Sequence, residues 1–230
     1  MKLAIGIPTL NRFDMLHPFL IMYLIDFPDT KIYVVDNGHQ GIKSKISNPN
    51  IIIHESESNL GVASSWNLLC DNIFKEHDYA LILNDDIYLG YKLPYISELL
   101  SRYKRNFYKS TYDFSTFILP KITYNMVGRF DNEFYPAYYE DNDYQYRMRL
   151  LNLSVLETPM LNAISYQSSK TLEKEPSLKK LIFKNKERYI EKWGGLPKKE
   201  VFTKPFNKLY HYDRFTNYRL CNWLLQRENQ

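Results

Sequence analysis

The stretch Tyr79–Leu89, YALILNDDIYL, decides how the rest of this sequence is read. Its first half, Tyr79 to Leu83, is an unbroken apolar run with the length and composition of a buried strand. The run breaks into Asn84, Asp85 and Asp86, which puts carboxylates at a strand's carboxyl end. In an open α/β sheet ligands bind at that edge, and adjacent carboxylates there repel each other unless a cation, a donor or water compensates. The simplest compensation is a hard divalent ion such as Mg2+ or Mn2+, which takes oxygen ligands and is often held by one or two carboxylates while substrate phosphates fill other positions. The alternative is a solvated turn, because Asn-Asp-Asp is also ordinary turn composition.

Upstream, Lys2 to Pro8 (KLAIGIP) reads as a first strand, apolar on both faces and closed by a proline suited to a strand end. Thr9 or Asn11 can cap a helix from about Arg12 to Ile25. A second strand, Lys31 to Val35, runs into Asp36-Asn37-Gly38, again an acid followed by turn residues. A third covers Ile51 to His54. The loop Asn59–Asn67 (NLGVASSWN) becomes a helix to about Lys75, and its small residues suit either a close backbone approach to a ligand or tight helix packing. The order βα, β, β, α, β predicts a mostly parallel sheet with helices on its faces, and places Asp36 and the Asp85-Asp86 pair near one another on one edge.

Downstream, the pattern predicts a helix around Tyr95 to Arg105 and a strand through Phe114 to Leu119. From Gly128 the chain becomes rich in aromatics and acids (GRFDNEFYPAYYEDNDYQYRMRLLN). Glu140 and Asp141 open a helix there, where the dipole favours negative charge, and Asp143 and Arg147 are spaced for a local ion pair. Acids placed only for capping are the plainer account. A strand from about Ser154 to Tyr166 and a helix from Leu178 to Trp193, stopped by Gly194-Gly195, complete the pattern.

The 230 residues and 44% hydrophobic content suit one soluble globular domain. No apolar run is long enough to span a membrane, and MKLAIGIPTLNR lacks a signal peptide's layout, so the expected location is cytoplasmic. Cys70 and Cys221 are too few and too unpatterned for a disulfide framework or a zinc site, and read as buried thiols. The net charge of +4 is mild, although lysines crowd the segment from Lys170 to Lys208; a phosphate-facing surface and a solvated helix face both fit, and no nucleic-acid motif is present. The 20 tyrosines permit sugar stacking without requiring it.

Taken together, IGIPTLNR, VVDN, NLGVASSWN, LNDD, GRFDNEFYPAYYEDNDYQYRMRL and KWGG resemble, in order and spacing, family 2 of the inverting glycosyltransferases. The resemblance runs from Lys2 to about Gly195 and implies a GT-A fold, a mostly parallel Rossmann-like central sheet flanked by helices. It implies a single domain over 1–230, with a nucleotide-sugar-binding half to about 90, an acceptor and catalytic half to about 195, and a basic aromatic extension over 196–230. The implied reaction moves a hexose or deoxyhexose from a nucleotide-diphosphate sugar to a hydroxyl of a glycan or other acceptor, with Mn2+ or Mg2+ as cofactor. Pro8, Thr9, Arg12 and Asp36 correspond to contacts with the nucleotide. Asp36 can accept the imide N–H of uracil, which favours a UDP-sugar or dTDP-sugar over a purine donor. Asn67, Asn84 and Asp85 fall on the donor side as well, Asp86 matches the metal ligand and Asp141 the catalytic base, while Glu140, Asp143 and Arg147 shape the acceptor side. Two departures stand out: Asn84 replaces the first acid of the common triplet, and Ile164–Ser169 lacks a histidine that many relatives carry near the diphosphate. A binding module of the same fold that has lost turnover, and a sugar nucleotidyltransferase, are the alternatives; the second usually needs a Gly-rich phosphate loop that IGIPTLNR does not provide.

Overall fold

The computed structural model describes residues 2–102, 106–164 and 178–208. Seven strands form one sheet in the order β3-β2-β1-β4-β6-β5-β7. They are β1 (Leu3–Thr9), β2 (Ile32–Asp36), β3 (Ile51–Glu55), β4 (Tyr79–Leu83), β5 (Phe107–Lys109), β6 (Thr116–Pro120) and β7 (Val155–Glu157). The helices are α1 (Phe13–Asp26), α2 (Ile42–Lys45), α3 (Val62–Ile73), α4 (Leu93–Arg102), α5 (Lys121–Val127), α6 (Glu140–Leu150) and α7 (Leu178–Trp193). The β1, β2, β3 and β4 neighbours pair in parallel, as does β5 with β7, whereas β6 runs antiparallel to both β4 and β5. This is the mixed, mostly parallel sheet expected from the strand-helix alternation.

The apolar runs of the central strands follow from burial on both faces. Ala4, Val35, Ala80, Ile82, Phe117 and Leu119 face one core, completed by Trp66 and Leu69 of α3, Tyr124 of α5 and Tyr144 and Met148 of α6. Ile5, Ile7, Val34, Leu81, Leu83 and Ile118 face the other, with Leu16 and Leu20 of α1 and Ile96 and Leu100 of α4. Neighbours such as Ala4 and Ile5 alternate between cores as the strand period requires. Gly6 keeps α3 close to the sheet: a Cβ there would stand 3.2 Å from Cδ1 of Ile73 and 3.4 Å from Cβ of Leu69, both on α3. Cys70 is buried on α3, and burial pushes its thiol well above the usual range. Among the described residues, no helix is long and apolar enough to cross a membrane.

Four sequence expectations need correction. The strand drawn from Ser154 to Tyr166 is only Val155–Glu157, because the Thr158 hydroxyl accepts from the Met160 N–H and opens a 3-10 turn at Pro159–Leu161, where proline has no N–H for a ladder; positions 165 and 166 lie outside the described residues. The strand placed at Phe114 begins at Thr116. The helix expected over Tyr95–Arg105 occupies Leu93–Arg102, with 103–105 outside the described residues. Strand β5 and helices α2 and α5 had no counterpart in the sequence pattern; at three, four and seven residues they are too short to show a period. Cys221 and most of the C-terminal extension, 209–230, lie outside the described residues.

Candidate active site

The register of the sheet builds the edge on which the donor contacts are expected. Thr9, the last residue of β1, pairs with Asp36 of β2. On its other side β1 pairs with β4 from Leu3↔Tyr79 to Gly6↔Ile82, and the same offset carried past the strand end sets Thr9 opposite Asp85. The alignment is closed by a bond from Thr9 Oγ1 to Asp85 Oδ2 at 2.7 Å. Asp36, Thr9 and Asp85 therefore form a row across three strands, with the two acids about 10 Å apart by strand spacing. Pro8, half-buried, precedes Thr9 on the same strand.

Each acid in the row has its own electrostatics. Burial, opposed by the Thr9 bond, reinforced by the neighbouring Asp86 and opposed again by Arg12, pushes the Asp85 carboxyl up to about 7. Arg12 is itself buried and directs Nε to Asp14 Oδ1 at 3.3 Å. Asp36 is fully buried and organises its own turn: Oδ1 accepts from the Gly38 N–H and the Gln40 side chain, and Oδ2 accepts the Gln40 N–H at 2.8 Å. Gln40 Oε1 in turn accepts the Phe13 N–H, which ties this turn to the start of α1. Gly38 has no room for a side chain, since a Cβ would lie 2.4 Å from Asn11 Oδ1. Asn84 anchors the β4 exit through its N–H to Ser115 O.

Asn67, expected on the donor side, is bonded within the scaffold, and Gly61 packs there too. The Asn67 side chain both donates to Phe130 O (2.9 Å) and accepts from Phe130 N (2.8 Å), so its amide pins α3 to the loop ahead of α6. Gly61 admits that same loop: Val62 N–H donates to Pro136 O at 2.7 Å, and a Cβ on Gly61 would meet Pro136 O at 2.9 Å. Of the two readings of the small residues in NLGVASSWN, helix and loop packing is the one realised at Gly61.

The residues expected on the acceptor side centre on the first turn of α6. Its N-cap is Tyr139, without a side-chain capping bond, so Glu140 and Asp141 occupy the first turn itself. Tyr138 and Tyr139 both have positive φ, +76° and +74°, a conformation that costs a non-glycine residue on the order of 1–3 kcal/mol. Burial, Asp141 and Asp143 drive the Glu140 carboxyl well above its ordinary value. Its Oε2 is buried without a hydrogen-bond partner. Burial also raises Asp141, against the opposing Asn142 side chain, backbone N–H groups and Lys109. Lys109 ends β5, two strands from β4 across the pairs Lys109↔Phe117 and Ile82↔Phe117. The pair predicted between Asp143 and Arg147 is present at 2.8 Å with both side chains fully buried, and Arg147 also donates to the Val127 and Arg129 carbonyls.

Asp131, Asn185 and Lys192 escaped the sequence reading. Lys192 was grouped with the lysines of a basic segment, yet it is fully buried and lies 2.7 Å from both Asp131 and Asp143. The available signal was that Asn185, Arg188, Tyr189, Lys192 and Trp193 share one helix face by their i, i+3, i+4, i+7 and i+8 spacing. A groove lined by Asp78, Tyr79, Leu100, Ser101, Pro120 and Lys121 lies at the amino end of β4, away from these carboxylates.

The donor set suits a hard divalent ion only as a small site. Among the described residues no three His, Cys, Asp or Glu side chains converge. Asp85 and Asp86, close enough for Asp86 to raise its neighbour, provide the one or two carboxylates that Mg2+ or Mn2+ takes when its remaining ligands are phosphate and water.

No family model and no curated protein sequence matches the chain. Solved structures do. A mannosyltransferase from Pyrobaculum calidifontis, determined with GDP-mannose and Mn2+, superposes with a TM-score of 0.63 at 11% identity, over 86% of this chain and 66% of its own. GalNAc-T7, determined with UDP, GalNAc and Mn2+, also gives 0.63 at 11% identity, over 84% of this chain and 48% of its own. The chain therefore spans about two thirds of the first relative and about half of the second. It has the GT-A fold of nucleotide-sugar glycosyltransferases.

Proposed function

We infer that the chain is a glycosyltransferase that transfers a sugar from a nucleotide-diphosphate donor to a hydroxyl of a glycan or other acceptor, in the manner of the inverting enzymes of family 2. The observation that carries this reading is the row Asp36–Thr9–Asp85 at the carboxyl edge of a GT-A sheet, with Asp86 next in line. Two structures with this fold bind a nucleotide or nucleotide sugar together with Mn2+.

In this reading the nucleotide lies along β1 and β2, near Pro8, Thr9 and Arg12. Asp36 Oδ2 accepts one bond within its turn, from the Gln40 N–H. The family resemblance sets a uracil N–H on this carboxylate, which makes a UDP-sugar the preferred donor and a dTDP-sugar the next; because Asp36 is fully buried, that contact requires the Asp36–Gln40 turn to open on binding. Asp86, beside Asp85, would hold Mn2+ or Mg2+, which supplies charge compensation for the departing diphosphate. Asp141 takes the proton of the acceptor hydroxyl as its oxygen bonds to the anomeric carbon and the bond from that carbon to the diphosphate oxygen breaks. Attack from the face opposite the leaving group inverts the centre in a single displacement. Desolvation makes Asp141 a stronger base than an exposed carboxylate.

The test is release of nucleoside diphosphate from a panel of UDP-, dTDP- and GDP-sugars, with Mn2+ and with a chelator. Mn2+-dependent release from at least one donor is expected. Binding of nucleotide without release from any donor, across acceptor mixtures, would support the binding module instead.

A further inference from the structure

Helix α7 reaches the catalytic turn from outside the sheet, and it does so with polar groups. Asn185 is buried and its Nδ2 donates to Ala137 O at 2.8 Å and to Tyr138 O at 3.3 Å, the carbonyls of the positive-φ turn just ahead of Glu140. One turn further along, the Tyr189 ring packs 5.6 Å from that of Tyr139. Two turns along, Lys192 bridges Asp131 and Asp143, while Trp193 Nε1 donates to Asp143 Oδ1 at 2.8 Å. Asp143 lies one position beyond Asn142, whose side chain holds Asp141 Oδ1 at 2.8 Å.

Docking a helix does not need this chemistry. Apolar residues in place of the whole cluster, Asp131, Asp143 and Lys192 together, would stabilise the contact at least as well, because two carboxylates and an ammonium lose their hydration on burial. The polar choice fixes one register of α7 on α6: sliding the helix by a turn would separate Asn185 from its carbonyls and Lys192 from its carboxylates together.

We propose that Asn185 and Lys192 are positioning residues of the transfer reaction, through which α7 fixes the Tyr138 main chain and the Asp143 carboxylate and so aims Asp141 at the acceptor hydroxyl. This rests on the transferase reading above. Neither side chain touches substrate; both act through the first turn of α6.

The experiment compares the wild type with Asn185→Ala and Lys192→Met. UDP with Mn2+ is titrated calorimetrically to count donor-binding sites, and release of nucleoside diphosphate is measured from the donor that the wild type turns over best, from UDP-glucose, UDP-N-acetylglucosamine, dTDP-glucose and GDP-mannose. Turnover per donor-binding site separates misplacement from a smaller folded fraction. Both variants are expected to bind UDP as the wild type does, while turnover per site falls by about 10- to 100-fold, the scale of an ångström-level misplacement. If Lys192→Met does not fold, Asn185→Ala decides alone. Wild-type turnover per site in the folded variants would overturn the positioning role and leave the transferase reading intact. A wild type that neither binds nor turns over any of these donors would remove the transferase reading and the positioning role with it.

Discussion

At the donor edge Asp36 is held by N–H groups two and four residues further along the chain, whereas at the acceptor end Asp143 is held by Trp193, fifty residues away. The first arrangement is made by a turn and a strand register. The second needs α6 and α7 to dock correctly, burying Asp131, Asp143, Arg147 and Lys192 together. Local construction makes the proposed nucleotide edge independent of how α6 and α7 dock. Long-range construction makes the proposed catalytic turn depend on a helix to which the proposal assigns no reacting group. Donor binding and turnover are therefore expected to separate under mutation.

The largest expected effect breaks the acceptor end alone. Asp141→Asn keeps size and N-terminal hydrogen bonding but cannot take a proton, so turnover should fall by about 100- to 10,000-fold, with UDP affinity preserved in calorimetry. Turnover near the wild-type rate would reduce Asp141 to a helix-start residue.

A smaller effect appears in acid. Burial pushes the Asp131 carboxyl up, but Lys192, by charge and hydrogen bond, and Arg188 outweigh it and hold it at about 2. A lowered folded value contributes stability above the unfolded carboxylate's pKa and loses it as pH falls toward the folded one, so this stabilisation should disappear as pH falls from about 4 toward 2. Denaturant melts across that window should show the loss, and Asp131→Asn should flatten it. An unchanged acid limb in Asp131→Asn would mean that the buried cluster does not couple α7 to the α6 side as described.

The smallest effect sharpens the donor side. Asp36→Ala should weaken UDP binding by about 1–3 kcal/mol, the cost of a lost buried hydrogen bond, with and without Mn2+. Weakening seen only with Mn2+ would move Asp36 from the base to the metal.

The same contrast explains what the sequence revealed. The row of acids was legible because a strand's carboxyl end is marked by an apolar run that stops at polar residues, as at Leu83-Asn84-Asp85-Asp86 and Val35-Asp36. The Asp143–Arg147 pair was legible because it lies within one helical turn. Lys192 and Asn185 were not, since their partners are set by tertiary docking, and the one mark of their burial, a helix face shared with Tyr189 and Trp193, names no partner. Asn67 misled for the opposite reason: it lies in a segment that resembles a donor-binding loop, and only the folded chain brings the Phe130 backbone to both ends of its amide. The seven-residue α5 and three-residue β5 fell below the length at which periodicity separates helix from strand.

The central claim is that the β4 carboxylates hold a metal–nucleotide pair, and titration of UDP into wild type and Asp86→Ala, each with and without Mn2+, tests it most directly. The account predicts that Mn2+ strengthens UDP binding to the wild type and has no such effect on Asp86→Ala, which retains the weaker, metal-independent affinity. Equal Mn2+-dependent affinity in the two proteins would contradict it.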